Sequence, residues 1–94
     1  MAKVFTAHKV KDYKDWKIKY DADIERRKEA GFEEGGHFHK ASDHNSFLIV
    51  WDTDATAEDA KATVSAMYSD PNLLALMKDG GVYVEDIEFW VSEG

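Results

Sequence analysis

Residues 47–51, Phe-Leu-Ile-Val-Trp, restrict the fold more than any other part of the sequence. Successive side chains of a strand point to opposite sides, so these five apolar residues require cover on both faces. Helices cover only one face of an antiparallel sheet in a chain of 94 residues. The simplest cover for the second face is another copy of the chain. The run therefore predicts a sheet strand buried on both sides and a homodimer.

The length of the chain allows one hydrophobic core, and we expect a single domain over residues 1–94. A chain of this size buries only about 60 to 65 % of its unfolded surface, so a partner subunit would add stability. The formal net charge of −7 has the wrong sign for phosphate backbones and anionic lipid surfaces. We therefore expect neither nucleic acid nor membrane as a partner.

The sequence contains no cysteine, which excludes disulfides, thiolate nucleophiles and cysteine-ligated metal clusters. Its first residues, MAKVFTAHKV, do not form the basic and apolar segments of a signal peptide. Both features fit a reducing compartment, and we expect a cytoplasmic protein.

Local signals along the chain predict the order strand, helix, strand, strand, helix, strand. Strands are predicted over residues 3–10, 32–41, 47–51 and 82–91, with a turn over 42–46 and a bulge at the paired glycines 35–36. Helices are predicted to start at the capping residues Asp12, Thr56 and Asp70, the last followed by Pro71. Glycines end the first helix at Gly31 and the last at residues 80–81.

Several of these segments together resemble the antibiotic biosynthesis monooxygenase-like branch of the dimeric α/β-barrel superfamily. They are VKDYKDWK at residues 10–17, RKEAG at 27–31, SDPNL at 69–73, and Met77 with GGV at 80–82. The resemblance implies an α+β, ferredoxin-like β-α-β-β-α-β antiparallel sheet with helices on one face. It also implies that two sheets pack through their other faces into a dimeric α/β barrel, with a small-molecule pocket in each subunit.

The activity implied by the resemblance is less specific than the fold. Similar proteins include cofactor-independent oxygenases of polyketide-type aromatics, haem-degrading enzymes, lactone isomerases, cyclases and proteins without an assigned activity. The haem-degrading members carry an asparagine on the first strand, where this sequence has Thr6 and His8. The leading hypothesis is a small-molecule-binding protein that works without a cofactor as a monooxygenase, or as an isomerase or cyclase, on an aromatic or polyketide-like substrate. A non-enzymatic ligand-binding or stress-associated dimer is the alternative, and the sequence leaves open whether the protein is an enzyme.

His37 and His39 form the sharpest local motif, since alternation places both imidazoles on one face of a strand. Such a pair can share one metal ion, which would make a metal-dependent enzyme, if His8, Asp86 or Glu88 completed the ligand set. Hydrogen-bonded histidines at a surface or interface are the more common outcome. We therefore expect no metal.

His8, His37 and His39 are also candidate general bases, because an imidazole suits proton removal near neutral pH. Trp16, Trp51 and Trp90 are candidate aromatic walls of a substrate pocket, although tryptophans more often serve core and dimer packing. Asp86 and Glu88 are predicted to share one face of the last strand. If that face is buried they are candidate catalytic carboxylates, and ion pairs or a solvated rim are the structural alternatives.

Overall fold

The computed structural model describes residues 2–92, and its elements follow the predicted order. The strands are β1 (Ala2–Lys9), β2 (Glu33–Lys40), β3 (Asp43–Thr53) and β4 (Glu88–Val91). The α-helices are α1 (Tyr13–Ala22), α2 (Ile24–Glu29), α3 (Ala57–Met67) and α4 (Pro71–Asp79), and a single turn of 3-10 helix spans Val84–Asp86. No helix within the described residues is long and apolar enough to cross a membrane.

The strands form one antiparallel sheet in the order β2-β3-β1-β4. β1 and β3 occupy its centre, where Val4 pairs with Trp51 and Thr6 with Ile49. This strand order, with the helices on one face, is the ferredoxin-like α+β fold. The sequence prediction of the fold class is confirmed, including a sheet strand over residues 47–51.

Alternation along β1 separates the two faces of the sheet. The even-numbered residues from Ala2 to His8 are buried under the helices, and we call this side the covered face. Its core includes Val4, Phe32, Ala60 and Val64 towards α3, and Val10, Trp16, Phe47, Ile49 and Val82 towards α1. The other side, the open face, carries Phe5, Ala7, Phe38, Leu48, Val50 and Trp90, as the pairing register shows.

Polar side chains cap the helices where the sequence predicted. Asp12, Thr56 and Asp70 each accept a hydrogen bond from a backbone N–H two or three residues further on. Gly31 and Gly81 have positive φ angles of 87° and 89°, in the left-handed region that favours glycine. These local signals fix where the helices begin and end.

The predicted single helix between Asp12 and Gly31 is in fact broken at Asp23. The carbonyl of Tyr20 accepts hydrogen bonds from the Asp23 backbone N–H and from the Arg27 guanidinium, at 3.2 and 2.7 Å. In a continuous helix the Tyr20 carbonyl would accept from the backbone N–H of residue 24. The two other donors take the place of that bond, and the chain starts a second helix, α2. The prediction missed the break because the competing donor is a side chain.

Two further predictions need correction. The turn after β2 is the two-residue segment 41–42, and residues 43–46 belong to β3. Asp43 pairs with Lys40 of β2, and residues 44–46 loop out relative to β2 where the pairing register shifts. Asn45 in this loop accepts from the Tyr13 N–H and donates to the Lys11 carbonyl, which ties β3 to the start of α1. The last strand is only β4, because a 3-10 turn interrupts the predicted segment 82–91.

The bulge predicted from the paired glycines is present in β2. The pairing register with β3 shifts between Glu34 and Gly36. A Cβ atom on Gly35 would collide with the side chain of Asp52 on β3. Glycine therefore leaves room for the Asp52 carboxylate here, and a larger residue would displace that side chain.

Candidate functional site

A cavity of about 570 Å³ lies between the covered face of the sheet and the four helices. β1 and β3 supply its floor, with the side chains of Thr6, His8 and Trp51. Helices supply most of its walls, which include the apolar and aromatic side chains of Trp16, Val64, Met67, Leu73 and Met77. Volumes of ~300–1,000 Å³ with mostly apolar walls are typical of small-molecule sites.

His8 is the titratable group of the cavity floor. Its side chain is 8 % exposed, and among the described residues its buried Nδ1 atom has no hydrogen-bond partner. Burial lowers its pKa to about 4, and the nearby His37 contributes to the decrease. The imidazole is therefore neutral at physiological pH, and one of its ring nitrogens is available as a proton acceptor.

Aromatic rings surround His8 on several sides. The ring centres of Phe47, Trp16 and Tyr68 lie 5.5, 6.4 and 6.4 Å from that of His8. Burial raises the pKa of the Tyr68 hydroxyl to about 12, so it remains protonated at neutral pH. These rings place the imidazole in a largely apolar environment.

Trp51 is held in the cavity by its indole nitrogen. The Nε1–H group donates to Thr6 Oγ1 at 3.0 Å, a bond between the two central strands. The register places Thr6 two residues before His8 on the same face of β1. The indole plane and the imidazole thus belong to one rigid surface, since both are fixed by the central strands of the sheet.

Arg27 and Tyr20 form the cationic side of the cavity. The Arg27 guanidinium carbon lies 3.7 Å from the centre of the Tyr20 ring and 5.8 Å from that of Trp51. The Tyr20 hydroxyl donates to Glu34 Oε1 at 3.0 Å, and burial, followed by the Glu34 charge, raises the pKa of Tyr20. The guanidinium is therefore held in place by stacking on the Tyr20 ring and by a hydrogen bond to the Tyr20 carbonyl.

His37 and His39 lie on the covered face but outside the cavity lining. His37 contacts Glu34 Oε1 through Nδ1 at 2.9 Å and the Tyr13 hydroxyl through Nε2 at 3.3 Å. His39 Nδ1 contacts the carbonyl of His44 at 2.8 Å. The pair is thus engaged in protein hydrogen bonds, which is the structural alternative considered for it.

The ligand set that His37 and His39 would need for a metal ion does not assemble. Between residues 2 and 92, no three His, Cys, Asp or Glu side chains are grouped so that they could hold a metal ion. Asp86 lies in the 3-10 turn and Glu88 at the start of β4, and both are exposed. The expectation that these carboxylates share a strand face is therefore wrong, because the strand begins only at Glu88.

The three candidate tryptophans separate onto different faces. Trp16 and Trp51 line the cavity, whereas Trp90 lies on the open face, opposite Phe5 in the pairing register. Trp90 therefore does not contribute to the cavity walls. Of the sequence candidates, the structure brings together His8, Trp16 and Trp51 and leaves His37, His39, Asp86, Glu88 and Trp90 outside.

Sequence reasoning missed Thr6, Tyr68 and Arg27 as cavity residues. For Arg27 a signal was present, since it continues the helical stripe formed by Tyr13, Trp16, Tyr20 and Ile24. An arginine at the end of an aromatic stripe indicates that a cation faces the interior. Thr6 and Tyr68 carry no such signal, because their role follows from the pairing of β1 and the packing of α3.

Comparison with solved structures agrees with this architecture. A protein from Agrobacterium tumefaciens has a TM-score of 0.63 at 18 % identity, with 99 % of this chain and 92 % of that chain covered. A protein from Nitrosomonas europaea, provisionally named an antibiotic biosynthesis monooxygenase, has a TM-score of 0.59 at 18 % identity, with coverages of 100 % and 98 %. An uncharacterised NIPSNAP domain protein from Burkholderia xenovorans has a TM-score of 0.60 at 16 % identity, with coverages of 100 % and 94 %.

These likenesses show that the chain has the ferredoxin-like fold of antibiotic biosynthesis monooxygenase-like proteins. No protein-family model and no curated protein matches the sequence. At these identities the comparisons show the fold alone. The function therefore has to be argued from the cavity.

Proposed function

We propose that this protein binds a small, flat, aromatic or polyketide-like molecule in the cavity on the covered face. The main support is the His8 imidazole, which belongs to the cavity floor and whose buried Nδ1 atom has no partner among residues 2–92. A ligand hydroxyl that donates to the imidazole gains a hydrogen bond in largely apolar surroundings. Trp16 and Trp51 offer aromatic surfaces to the cavity. A planar ligand that packs against them buries apolar surface, which adds to its binding free energy.

The proposed chemistry is oxygenation without a bound organic cofactor. The oxygenation is in line with structural neighbours that are named antibiotic biosynthesis monooxygenases. The neutral His8 imidazole accepts a proton from an acidic phenol, enol or activated methylene group of the ligand. Its pKa of about 4 makes it a weak base in the free protein, and the ligand anion that forms beside it stabilises the imidazolium. The electron-rich anion that remains reduces molecular oxygen. For a methylene substrate, the CH₂ group becomes C=O with one oxygen atom, and the other oxygen atom leaves as water.

We also propose that the protein works as a homodimer that associates through the open face. Two neighbouring rows of the sheet place apolar side chains there, Val50, Phe5 and Trp90 in one row and Phe38, Leu48 and Ala7 in the other. The second row ends at the exposed Glu88 on the edge strand β4. Phe38, Trp90 and Phe5 are exposed in the single chain. A contiguous apolar surface of this kind is typical of an interaction site.

Binding of 2-naphthol tests the proposed site. We expect it to shift the ¹⁵N-indole resonances of Trp16 and Trp51 and to leave that of Trp90 unchanged, so Trp90 serves as an internal control. Replacing the hydroxyl by a methoxy group removes the donor to His8. The affinity for 2-methoxynaphthalene should therefore be about tenfold lower, the value of one buried hydrogen bond. Shifts confined to Trp90, or no shifts at all, would contradict the proposed cavity function.

Oxygen uptake with anthrone tests the proposed reaction. Anthrone carries an activated methylene group, and its oxidation consumes one O₂ per quinone formed. We expect protein-dependent uptake above the spontaneous background, and a decrease of at least about a hundredfold in His8→Leu, as for the loss of a general base. Anthrone that is bound but recovered unchanged would favour the non-enzymatic ligand-binding alternative.

A further inference from the structure

The charges that line the cavity are opposite in sign to those of the chain as a whole. The sequence has 19 acidic and 12 basic residues, which gives the net charge of −7. The lining nevertheless contains Lys19, Arg26 and Arg27 and only one carboxylate, that of Asp23. A cationic lining in an acidic protein indicates that the site meets an anion.

The single lining carboxylate neutralises Arg26 and not Arg27. Arg26 Nε lies 2.6 Å from Asp23 Oδ2, and both side chains are substantially exposed. No carboxylate of residues 2–92 lies within the 4.0 Å ion-pair distance of the Arg27 guanidinium. Glu34, which lies at the far end of the Tyr20 ring, is engaged by the Tyr20 hydroxyl and by His37.

Arg27 is also fixed in position. Its guanidinium is stacked on Tyr20, and Nη1 donates to the Tyr20 carbonyl at 2.7 Å. A guanidinium has five N–H donors, so this bond leaves donors available for a carboxylate. Because the stem and plane are already ordered, little side-chain entropy is lost when such an anion binds.

From this arrangement we infer that the ligand is a hydroxyaryl carboxylate, or an equivalent aromatic anion. Its hydroxyl meets the His8 imidazole, its ring lies along Trp51, and its carboxylate pairs with Arg27. The inference rests on the proposed binding function and extends it to the charge of the ligand. A charge-assisted hydrogen bond to guanidinium is about twice as strong as a neutral one, which gives Arg27 a large share in selectivity.

Calorimetric titration with 6-hydroxy-2-naphthoate and with its methyl ester tests this inference. The two probes share the ring and the hydroxyl and differ in charge. We expect the acid to bind at least about tenfold more tightly than the ester at low ionic strength. Added salt should lower the affinity for the acid and leave the affinity for the ester unchanged. This comparison uses only the wild-type protein, so it does not depend on the folding of a variant.

Arg27→Met keeps the length of the stem and removes the charge. We expect it to bind acid and ester with similar affinity, while Arg27→Lys retains part of the preference. Lys28→Met removes one positive charge from the same helix without touching the cavity lining, and it should keep the wild-type ratio. The thermal unfolding of each variant shows whether it is folded.

The outcomes separate the two proposals. Equal binding of acid and ester by the wild-type protein overturns the anion inference and leaves the aromatic cavity intact. Binding of neither probe overturns both. If Arg27→Met still prefers the acid, the ligand carboxylate pairs with another basic side chain, and the assignment to Arg27 is contradicted.

Discussion

Glutamate in place of Phe38 should convert the proposed homodimer into a monomer at micromolar concentration. Phe38 is 59 % exposed in the single chain, so its replacement costs little in the folded subunit. In a dimer built on the open face, the new carboxylate loses water without gaining a partner. Unpaired buried charge costs several kcal/mol, and we expect the dissociation constant to rise about a thousandfold or more.

Sedimentation or light scattering would measure the change against the monomer mass of 10.7 kDa. Trp90→Glu, on the opposite edge of the open face, should have the same effect, since Trp90 is 51 % exposed. Ile18→Glu provides the matched control, because Ile18 is 71 % exposed and lies on α1, away from that face. A wild-type protein that is already monomeric would rule out the open face as a dimer interface.

Acid should destabilise the wild-type protein through His8, and His8→Leu should lose this part of the pH dependence. The folded pKa of about 4 lies below the ordinary value of 6.5. As the pH falls from 6.5 towards 4, the unfolded chain binds a proton at this imidazole and the folded chain does not, so the free energy of unfolding decreases. The decrease in the free energy of unfolding that is attributable to His8 is about 3 kcal/mol. It is nearly complete when the pH reaches the folded pKa of about 4.

Denaturant unfolding at about pH 7 and about pH 4.5 would measure this effect as a difference between variants. The difference removes the contribution of the other titrating groups, which both proteins share. His44→Leu is the matched control, because His44 is exposed, and this variant should follow the wild type at both pH values. Parallel loss of stability in the wild type and in His8→Leu would contradict the burial of a neutral imidazole.

His8→Leu should also be at least as stable as the wild type at neutral pH. The substitution removes a buried nitrogen without a partner among the described residues, and leucine fits the aromatic surroundings of Phe47 and Trp16. A gain in stability together with a loss of 2-naphthol affinity would mark His8 as a residue kept for function.

Local chemistry made most of the fold predictable from sequence. Side-chain caps at Asp12, Thr56 and Asp70 and left-handed glycines at residues 31 and 81 act within a few residues of the chain, and the predicted helix ends follow them. The break at Asp23 was missed because Arg27 reaches back to a carbonyl seven residues away. The shortened last strand was missed because its apolar pattern does not distinguish a strand from a 3-10 turn.

The candidate site was predictable only in part. His8, Trp16 and Trp51 were named from the sequence, and the structure places them in one cavity. His37 and His39 were named for their spacing, but both ring nitrogens of His37 and Nδ1 of His39 are engaged by neighbouring groups on the protein. Spacing reports which face of a strand a residue occupies and says nothing about which helix covers it.

The sequence by itself determined the order of the elements, the helix ends, the glycine bulge and the apolar character of both faces of β3, because these depend on short-range sterics, hydrogen bonds and alternation. Only the tertiary structure decided which aromatic residues enclose the cavity, why the His8 nitrogen has no partner among residues 2–92, and that Arg27 faces inward. Those properties arise where α1, α2 and α3 cross the sheet, and crossing positions depend on contacts between residues far apart in the chain. Desolvation of His8 follows from the same packing, so its low pKa is a property of the fold.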